Sequence, residues 1–438
     1  MRVTLLPNDD RSCGWIETLP PLPPETRVVG EQTADWVVLG AGFTGLAAAR
    51  RLATHLPEAR IVLLDAQRAG QGASGRNAGF IIDLPHHVDS ADIEDQAQNL
   101  RTRRLNHAAI AELRALVKKH DIDCYWSERG KWHCAIEDRG IRDLESFKRG
   151  LDALDEPYTE LDANGLQAVL GTGYYREGVH TPGNILMQPA ALARGLAQSL
   201  PKNTVELLEN SPVREIEYGA TIRLTCPEGT LRAKNLILGT NGFTAGLGFL
   251  KDRLIPIFAT GSLTRPLTEA ERADLGGEGD WGVIAGDRMG TTLRYTRDHR
   301  IFVRNTFVYW PRMSMTEAER GRMRVWHERA FRARFPMLPE VTFEYTWGGN
   351  LCISRNHAPY FGKLMPNVYA AVCHNGVGVA KGTITGSLIA DYAIGADSEL
   401  LNDMLSYPRP AKLPPRPFRD IGARLMVNWQ QRRAGRER

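Results

Sequence analysis

The sequence has few of the features that mark secreted, membrane-spanning or nucleic-acid-binding proteins. Its six cysteines form no CxxC pair and no dense framework, so we expect reduced thiols in a cytoplasmic protein. The first residues include two acids and no apolar core of a secretory signal, and no run reaches the ~18–20 apolar residues that cross a bilayer. A net charge of +4, without a Lys/Arg run, gives no reason to expect a nucleic-acid partner.

The composition is typical of a globular protein of two or three domains. Hydrophobic residues make up 42% and charged residues 24% of the 438, a length that can bury a large core. Apolar spacing predicts helices over 89–120, 138–170 and 317–335. Alternation predicts two strands over 126–136 and a hairpin about Asp298.

The stretch from Trp36 to Asp65 has the pattern of a strand, a tight turn, a helix and a second strand. Gly40 would allow the turn, Gly42 would let the backbone approach a pyrophosphate, and Gly45 would let the helix pack close to the strand. Free N–H groups at the helix start would receive phosphates, and the acid could bond ribose hydroxyls. A tight turn in an ordinary sheet is the alternative, but it does not account for the helix and the spaced acid. The pattern therefore predicts a dinucleotide site.

A second glycine-rich segment, Gly70-Gln-Gly-Ala-Ser-Gly-Arg-Asn-Ala-Gly-Phe80, follows the second strand. Such small residues favour backbone packed against a ligand, because side chains would occupy the space. A flexible surface loop is the alternative, although such loops more often carry Lys, Glu or Pro.

These segments carry a family resemblance. Gly40-Ala-Gly-Phe-Thr-Gly45, the acid at 65 and Gly72-Ala-Ser-Gly-Arg-Asn-Ala-Gly79 resemble the opening of the FAD-dependent amine and amino-acid oxidoreductases, the superfamily of D-amino-acid oxidase, glycine oxidase and sarcosine oxidase. They are most similar to the γ-glutamylputrescine oxidoreductase-like branch, where such a loop lies against the flavin. Ala78 replaces a glycine that is common in that branch.

The C-terminal third resembles the same family. Trp347-Gly-Gly-Asn350, Asn356-His-Ala-Pro-Tyr-Phe-Gly362 and Val368-Tyr-Ala-Ala-Val-Cys-His-Asn-Gly-Val-Gly378 are similar to the signature that closes on the isoalloxazine ring. The resemblance implies that N–H groups at the start of the following helix meet the flavin C2 carbonyl. A positive helix end there would favour the anionic reduced flavin.

The resemblance implies an α/β (α+β) fold, with a Rossmann-like FAD-binding domain and a discontinuous substrate domain built on an antiparallel sheet. The predicted FAD-binding domain is made of residues 35–88, 180–250 and 346–396. The substrate domain is made of 89–179 and 251–345. An N-terminal arm of 1–34 and a C-terminal segment of 397–438 flank them.

The resemblance also implies which residues hold noncovalent FAD. The predicted cofactor-binding residues are Gly40, Gly42, Phe43, Thr44, Gly45, Asp65, Ala66, Gly72, Ala73, Ser74, Gly75, Arg76, Asn77, Ala78, Gly79, Val213, Thr240, Asn241, Gly242, Asn375, Gly376, Val377, Gly378 and Val379. Of these, Val213 would contact the adenosine side through its backbone. No metal site is expected, since only the adjacent His86 and His87 are close in sequence.

Five residues are candidates for contact with the substrate or the flavin ring: Trp347, Asn350, Tyr295, Arg355 and His374. Core or rim packing is the alternative for each of them. His374 stands out among the histidines because it falls beside the proposed flavin contact.

Three differences from the relatives bear on the substrate, the electron acceptor and the attachment of the flavin. Leu351 stands where glycine oxidase has an arginine that clamps a carboxylate, which makes a simple α-amino acid a poor substrate. The strand 299–304 lacks the lysine that serves oxygen in sarcosine oxidases, so O2 and another electron acceptor both remain open. Gly349 aligns with the cysteine that binds flavin covalently in those enzymes, and Cys352 lies three residues away.

The sequence therefore favours a flavoenzyme that oxidises a C–N bond of an amine, an N-substituted amino acid or a polyamine adduct to an imine, which water hydrolyses. One alternative is a dehydrogenase that passes electrons to quinone at a membrane. Another is a flavin-binding subunit of a multi-subunit amine or opine dehydrogenase. The oligomeric state is left open.

The two ends of the chain carry structural predictions of their own. The proline-rich arm, with Trp15 as its large anchor, is expected to lie across the surface. The segment 407–438 predicts an amphipathic basic helix. We expect its apolar face to pack on its own domain or a twin subunit, with an anionic membrane surface as the alternative.

Overall fold

The computed structural model describes residues 1–8, 10–85 and 93–438. Its helices are α1 (Gly14–Glu17), α2 (Phe43–His55), α3 (Ala73–Arg76), α4 (Ile93–Lys119), α5 (Asp138–Ala153), α6 (Ala163–Leu170), α7 (Pro189–Gln198), α8 (Glu269–Leu275), α9 (Glu317–Arg334), α10 (Ala380–Ile394), α11 (Glu399–Leu405) and α12 (Phe418–Arg433). Short 3-10 turns lie at Asn241–Leu247 and Gly435–Glu437.

The strands are β1 (Gly30–Leu39), β2 (Ile61–Leu64), β3 (Phe80–Ile81), β4 (Lys131–Ala135), β5 (Thr159–Asp162), β6 (Glu177–Thr181), β7 (Ile185–Leu186), β8 (Val205–Leu208), β9 (Glu215–Glu217), β10 (Ile222–Thr225), β11 (Gly229–Leu238), β12 (Ile255–Thr264), β13 (Trp281–Ala285), β14 (Thr292–Tyr295), β15 (Ile301–Tyr309), β16 (Phe343–Ile353), β17 (Tyr360–Met365) and β18 (Val368–Val372). They form two large sheets and one small pair, β3 with β7.

The first sheet has the order β17-β18-β11-β1-β2-β8, and its inner strands run parallel. The end of β1 (Trp36–Leu39), β2 and β18 are continuous apolar runs, as expected for strands buried on both faces of a sheet. Alternate residues such as Val38 and Leu63 pack against helices that include α2 and α10. Val37 and Val62 face the other side, where β9, β10 and the Asn241–Leu247 turn cover the sheet.

The second sheet has the order β16-β12-β15-β14-β13-β4-β6-β5. All its pairings are antiparallel except that of β13 with β4, so the predicted antiparallel sheet is correct in its main part. The domain boundaries remain predictions, but two of them fall inside strands of this sheet. The boundary before 180 divides β6, and the boundary before 346 divides β16. The boundary after 88 lies outside the described residues.

The hairpin about Asp298, the helix predicted over 317–335 and the described part of the helix predicted over 89–120 are formed, while residues 89–92 lie outside the described residues. Two other predictions need correction. The helix predicted over 138–170 is divided into α5 and α6, because Asp155 has a φ of +54° and Pro157 cannot continue a helix. Only the second of the two strands predicted over 126–136 exists. Ser127 instead exchanges both backbone hydrogen bonds, each 2.9 Å, with Leu186 of the small sheet.

The N-terminal arm does not simply cross the surface. Trp15 is 2% exposed, and its ring centroid lies 5.4 Å from that of Phe302 and 5.8 Å from that of Trp347. Its indole N–H donates to the carbonyl oxygen of Asn77 over 2.9 Å. The arm therefore packs, through Trp15, between the second glycine-rich segment and the second sheet. Trp15 buries more apolar area there than it would on the surface.

The C-terminal helix also differs from expectation. Its face that contacts the protein is the more polar one. Asp420 accepts a hydrogen bond from the Tyr309 hydroxyl over 2.6 Å, and the Gln431 amide donates to the carbonyl of Phe307 at the edge of β15. The predicted apolar face is exposed instead, so the expectation that it packs on its own domain is wrong.

In the ranges that the structure describes, no helix is both long and apolar enough to cross a bilayer. The six cysteines are free and buried. No three His, Cys, Asp or Glu side chains are grouped as metal ligands among the described residues, and His86 and His87 lie outside them.

Candidate functional site

The first glycine-rich turn joins β1 to α2, where two glycines are sterically required. Gly40 has a φ of +105°, which disfavours other residues. A Cβ on Gly45 would lie 1.8 Å from the carbonyl oxygen of Gly40, so the helix packs on the turn only with glycine there. Gly42 is the N-cap of α2 and forms no side-chain capping bond. Apart from the Phe43 N–H, which Ser74 accepts, the N–H groups at this helix start have no intrahelical acceptor and are available to an anion.

Asp65 ends β2 beside this turn. Its carboxylate accepts the Ala41 N–H over 2.6 Å and the Gln67 N–H over 2.8 Å. Burial raises the pKa of Asp65 to about 6, against the opposing effect of these two hydrogen bonds. The carboxylate is therefore held in place and ionised at neutral pH, with lone pairs left for hydroxyl donors.

The second glycine-rich segment folds over the start of α2. Ser74 Oγ accepts the Phe43 N–H over 3.0 Å, which joins the two segments at the helix N-terminus. A Cβ on Gly75 would lie 1.8 Å from the carbonyl oxygen of Gly70, so this loop also needs its glycine. A phosphate at the N-terminus of α2 would meet both segments.

Two polar residues of this segment hold its shape. The Arg76 guanidinium donates to the carbonyl of Gly348 over 3.1 Å and pairs with Asp10 at 2.9 Å. The Asn77 amide donates to the carbonyl of Ser74 over 2.6 Å. These side chains are engaged within the protein, so any flavin contact of Arg76 and Asn77 falls to their backbone.

The third predicted segment follows β11. Gly40 lies against it, since a Cβ on Gly40 would be 3.0 Å from the carbonyl oxygen of Gly239. Asn241 adopts a φ of +44°, and its Oδ1 accepts the Cys373 N–H over 3.1 Å. The carboxyl ends of β1, β11 and β18 are thereby fixed beside one another, at the edge where α/β sheets bind ligands.

The fourth segment, from Asn375 to Val379, precedes α10. Asn375 Oδ1 accepts the Ser354 N–H over 2.9 Å, and its amide donates to the carbonyl of His357 over 2.8 Å. Gly376 and Gly378 are exposed, and a Cβ on either would meet open space. Val379, the N-cap of α10, makes no side-chain capping bond. The open space and the uncapped start of α10 could accommodate a carbonyl group of a bound ring system.

FAD fits the arrangement of the four segments. Helix N-termini at α2 and α10, a fixed carboxylate and open space above Gly376 and Gly378 match its pyrophosphate, ribose and ring carbonyl. Val213 adds to the fit, because no backbone hydrogen bond among the described residues uses its N–H or C=O, although its side chain is buried.

The five candidate substrate residues do not meet at one point. Trp347 is 1% exposed, and its indole N–H donates to the carbonyl of Arg76 over 3.0 Å. Tyr295 lies on the other face of the second sheet, packed near Trp281 and bonded to His299 over 2.9 Å. Its neighbour Arg294 is the one that reaches the flavin loop, so we propose no ring contact for Tyr295.

The other three candidates are also dispersed. Asn350 faces away from the second glycine-rich segment and donates to the carbonyl of Met313 over 2.6 Å, while its Oδ1 is buried without a partner. Arg355 is exposed in the loop between β16 and β17. His374 Nε2 lies 3.0 Å from Thr44 Oγ1 at the start of α2, and burial lowers its pKa to about 4. A neutral His374 thus supports the phosphate-side helix.

A patch that the sequence did not reveal lies on the face of the second sheet that looks toward the flavin loop. Gly349, Ala259 and Phe307 are side by side in register, and all three are partly exposed. A Cβ on Gly349 would lie 3.5 Å from the Cβ of Arg76. The patch therefore borders the space between sheet and loop.

Arg304 belongs to this patch. Its guanidinium lies 4.5 Å from the centre of the Phe307 ring and donates to the Thr292 hydroxyl. It forms no ion pair within the described ranges, and its Nη1 is buried without a partner. Burial lowers the pKa of Arg304 to about 10, which leaves it charged at neutral pH. In the sequence, alternation along β15 indicates that Arg304 shares a face with every second residue of the strand. Which of the two faces points inward depends on the register with β12.

The chain is similar to known flavoproteins over most of its length. The family model described as "DAO: FAD dependent oxidoreductase" matches residues 35–392. Gamma-glutamylputrescine oxidoreductase of Escherichia coli is 28% identical over 89% of this chain and 91% of the relative. A probable oxidoreductase OrdL of Haemophilus influenzae is 26% identical over 86% of each. Glycine oxidase from Geobacillus kaustophilus has a TM-score of 0.69 at 19% identity, over 84% of this chain and 96% of its own.

These matches confirm the resemblance, the fold class and the cofactor predicted from the sequence. The matched residues run from the start of the first glycine-rich unit to the helix α10 that follows the last one. The chain belongs to the FAD-dependent oxidoreductase family named DAO, and its cofactor is FAD.

Proposed function

We propose that this protein oxidises the C–N bond of an amine that also carries an anionic group, such as an N-substituted amino acid or a glutamylated polyamine. The observation that carries the proposal is Arg304, a cation on the face of the second sheet that looks toward the flavin segments. Its Nη1 is buried without a partner, and it has no acid partner among the described residues. Burying a charge is costly unless something compensates for it, and a substrate carboxylate would do so.

The residues on the cofactor side would hold FAD. The N-terminus of α2 with Ser74 would bind the pyrophosphate and Asp65 the ribose. The N–H groups of Gly376, Gly378 and Val379 would bind the ring carbonyl, since the Val377 N–H donates to the carbonyl of His374. FAD supplies the acceptance of two electrons and a hydrogen from the carbon next to nitrogen. The substrate leaves as an imine, which water splits into a carbonyl compound and an amine.

Arg304 would orient the substrate from the sheet side. A guanidinium offers two parallel N–H donors to a carboxylate, and the Phe307 ring below it restricts its rotamers. Leu351 leaves the position of the glycine oxidase arginine apolar. The anion would instead be bound at β15, two strands away from Leu351 in β16. An anion remote from the reacting C–N bond suits this displacement better than a simple α-amino acid does.

We propose noncovalent FAD, an electron acceptor that is O2 or another oxidant, and a cytoplasmic location. Gly349 offers no thiol, and the Cys352 thiol donates to Asn241 Oδ1 over 3.1 Å on the opposite face of β16. Burial of all six free cysteines is in keeping with a reducing compartment.

Anaerobic bleaching of the bound flavin tests the proposal, because it reports reduction whatever reoxidises the cofactor. Gamma-glutamylputrescine, the compound in the name of the Escherichia coli relative, is compared with putrescine, which lacks the carboxylate. N-substituted amino acids are compared with glycine and several D-amino acids. We expect faster bleaching by the carboxylated, N-substituted member of each pair. Rapid bleaching by glycine, or equal rates within the pairs, would contradict the proposal.

A further inference from the structure

Helix α12 presents an apolar stripe to the outside of the protein. Its side chains are more than half exposed: Phe418 (70%), Ile421 (54%), Leu425 (65%), Met426 (55%) and Trp429 (55%). At 3.6 residues per turn they cover about 140° of the helix circumference. Apolar patches of this kind on a folded chain mark surfaces that bind something.

The opposite face of α12 fixes the stripe in this orientation. Val427 and Gln431 are each 7% exposed, and Ala434 is 1% exposed. After the helix, the Glu437 carboxylate accepts the N–H groups of Ile136 and Glu137 over 2.8 and 2.9 Å. The helix is therefore attached to the second sheet at its end and along one side. It cannot turn its apolar side inward without breaking these contacts.

Positive charge is concentrated around the stripe. Residues 411–438 contain eight Lys and Arg but only two Asp and Glu, an excess of six that is larger than the +4 of the whole chain. Both acids are engaged, Asp420 by Arg416 and Arg419, and Glu437 by backbone N–H groups. Arg424 and Arg432 form no ion pair in the described part of the chain, and Arg433 lies over the Trp429 ring.

We propose that α12 docks flat on an anionic lipid surface, with the stripe in the acyl boundary and the arginines at the headgroups. A helix with an outward apolar face, aromatic residues and basic flanks has the character of an interfacial helix. A second copy of the chain fits less well. A two-fold contact would place the same basic helix against itself and bring its arginines together. This inference is independent of which amine is oxidised.

Vesicle sedimentation of the full-length holoprotein tests the proposal. Wild type should bind vesicles of phosphatidylglycerol and phosphatidylcholine, and should bind pure phosphatidylcholine weakly. The variant Ile421→Gln/Leu425→Gln/Trp429→Gln should lose binding, while Arg424→Gln/Arg432→Gln should weaken it by roughly tenfold or more, at about fivefold per arginine. Flavin content and Tm should not change, because these side chains are exposed.

A matched control is Val29→Gln/Leu405→Gln, which removes two exposed apolar side chains elsewhere and should bind like wild type. Light scattering without vesicles is measured in parallel. Equal binding to both vesicle types, or binding that survives the triple substitution, would overturn the proposal. So would a wild-type dimer that binds no vesicles and that the triple substitution converts to monomer, since the stripe would then be a subunit interface.

Discussion

The Asp65 carboxylate accepts the Ala41 N–H over 2.6 Å, so the acid that ends β2 holds the turn that begins the phosphate site. The raised pKa of about 6 means that the folded apo-protein takes up a proton more readily than the unfolded chain. Its contribution to stability is therefore fully present below about pH 4 and is lost as pH rises through 6. FAD affinity has the opposite dependence, because a ribose hydroxyl needs the ionised carboxylate as its acceptor.

We therefore expect FAD binding to weaken as pH falls below about 6, with Asp65→Asn removing most of that dependence. The variant should bind FAD about tenfold to a hundredfold more weakly at pH 7.5, as for a lost hydrogen bond to a charged group. Titrating the apo-protein with FAD at pH values from about 5 to 8, followed by flavin fluorescence, measures both effects. The midpoint of the change in affinity should lie at roughly pH 6, which the buried acid sets. An unchanged pH profile in the variant would show that another group titrates.

Gly45→Ala should abolish FAD binding and destabilise the protein. The new Cβ would be placed 1.8 Å from the carbonyl oxygen of Gly40, so the helix must move away from the turn. We expect a loss of about 1–3 kcal/mol or more, as for overpacking. Gly321→Ala is the matched control, because Gly321 is exposed in α9 and its Cβ would meet no atom. Urea denaturation should show the control slightly more stable, by about 0.5–1 kcal/mol.

Arg304→Gln should raise KM for a carboxylated amine by about tenfold to a hundredfold and change kcat less, because it removes a charged hydrogen-bond donor from the binding step. Arg304→Lys should restore part of the loss, since lysine keeps the charge but not the fork. Arg322→Gln, on the exposed face of α9, is the control. If the KM for an uncharged amine rises equally, Arg304 shapes the sheet and does not bind an anion.

Trp15→Ala should destabilise the protein by about 3–5 kcal/mol, as when a large aromatic side chain is removed from a core. The change should also alter the flavin absorption spectrum, because Trp15 holds the Asn77 carbonyl and packs on Trp347. Trp15→Phe keeps most of the packing, so its stability should lie between that of wild type and that of Trp15→Ala. If thermal unfolding shows that Trp15→Ala is as stable as wild type, the packing of the arm between the loop and the sheet does not stabilise the protein.

The spacing of residues in the sequence predicted the strand, turn and helix of the first glycine-rich segment well. The turn at Gly40, the close packing at Gly45 and the acid at Asp65 depend on residues near one another in sequence, so spacing carries the information. The family and the fold class were also predicted from the glycine-rich segments at residues 40–79 and 347–378. Contacts of single residues with FAD remain predictions that the variants above test.

The substrate side was harder to predict because it depends on the register between distant strands. Tyr295 and Asn350 were chosen from their place in the sequence, yet each lies on the face of its strand that turns away from the flavin loop. Arg304 lies in the strand 299–304 that the sequence indicated, but the sequence did not show which face of the sheet its side chain is on. Likewise, the pattern of α12 identifies its apolar side, while the bonds to Asp420 and Gln431 decide that this side faces out.

The path of the chain between the two large sheets has an evolutionary consequence. The chain supplies β1 and β2 to the first sheet, β4 to β6 to the second, β8 to β11 to the first, β12 to β16 to the second and β17 and β18 to the first. No single cut separates the two sheets, so a gene crossover cannot exchange one for a new specificity. New substrates must instead be reached by replacing residues within the interleaved structure.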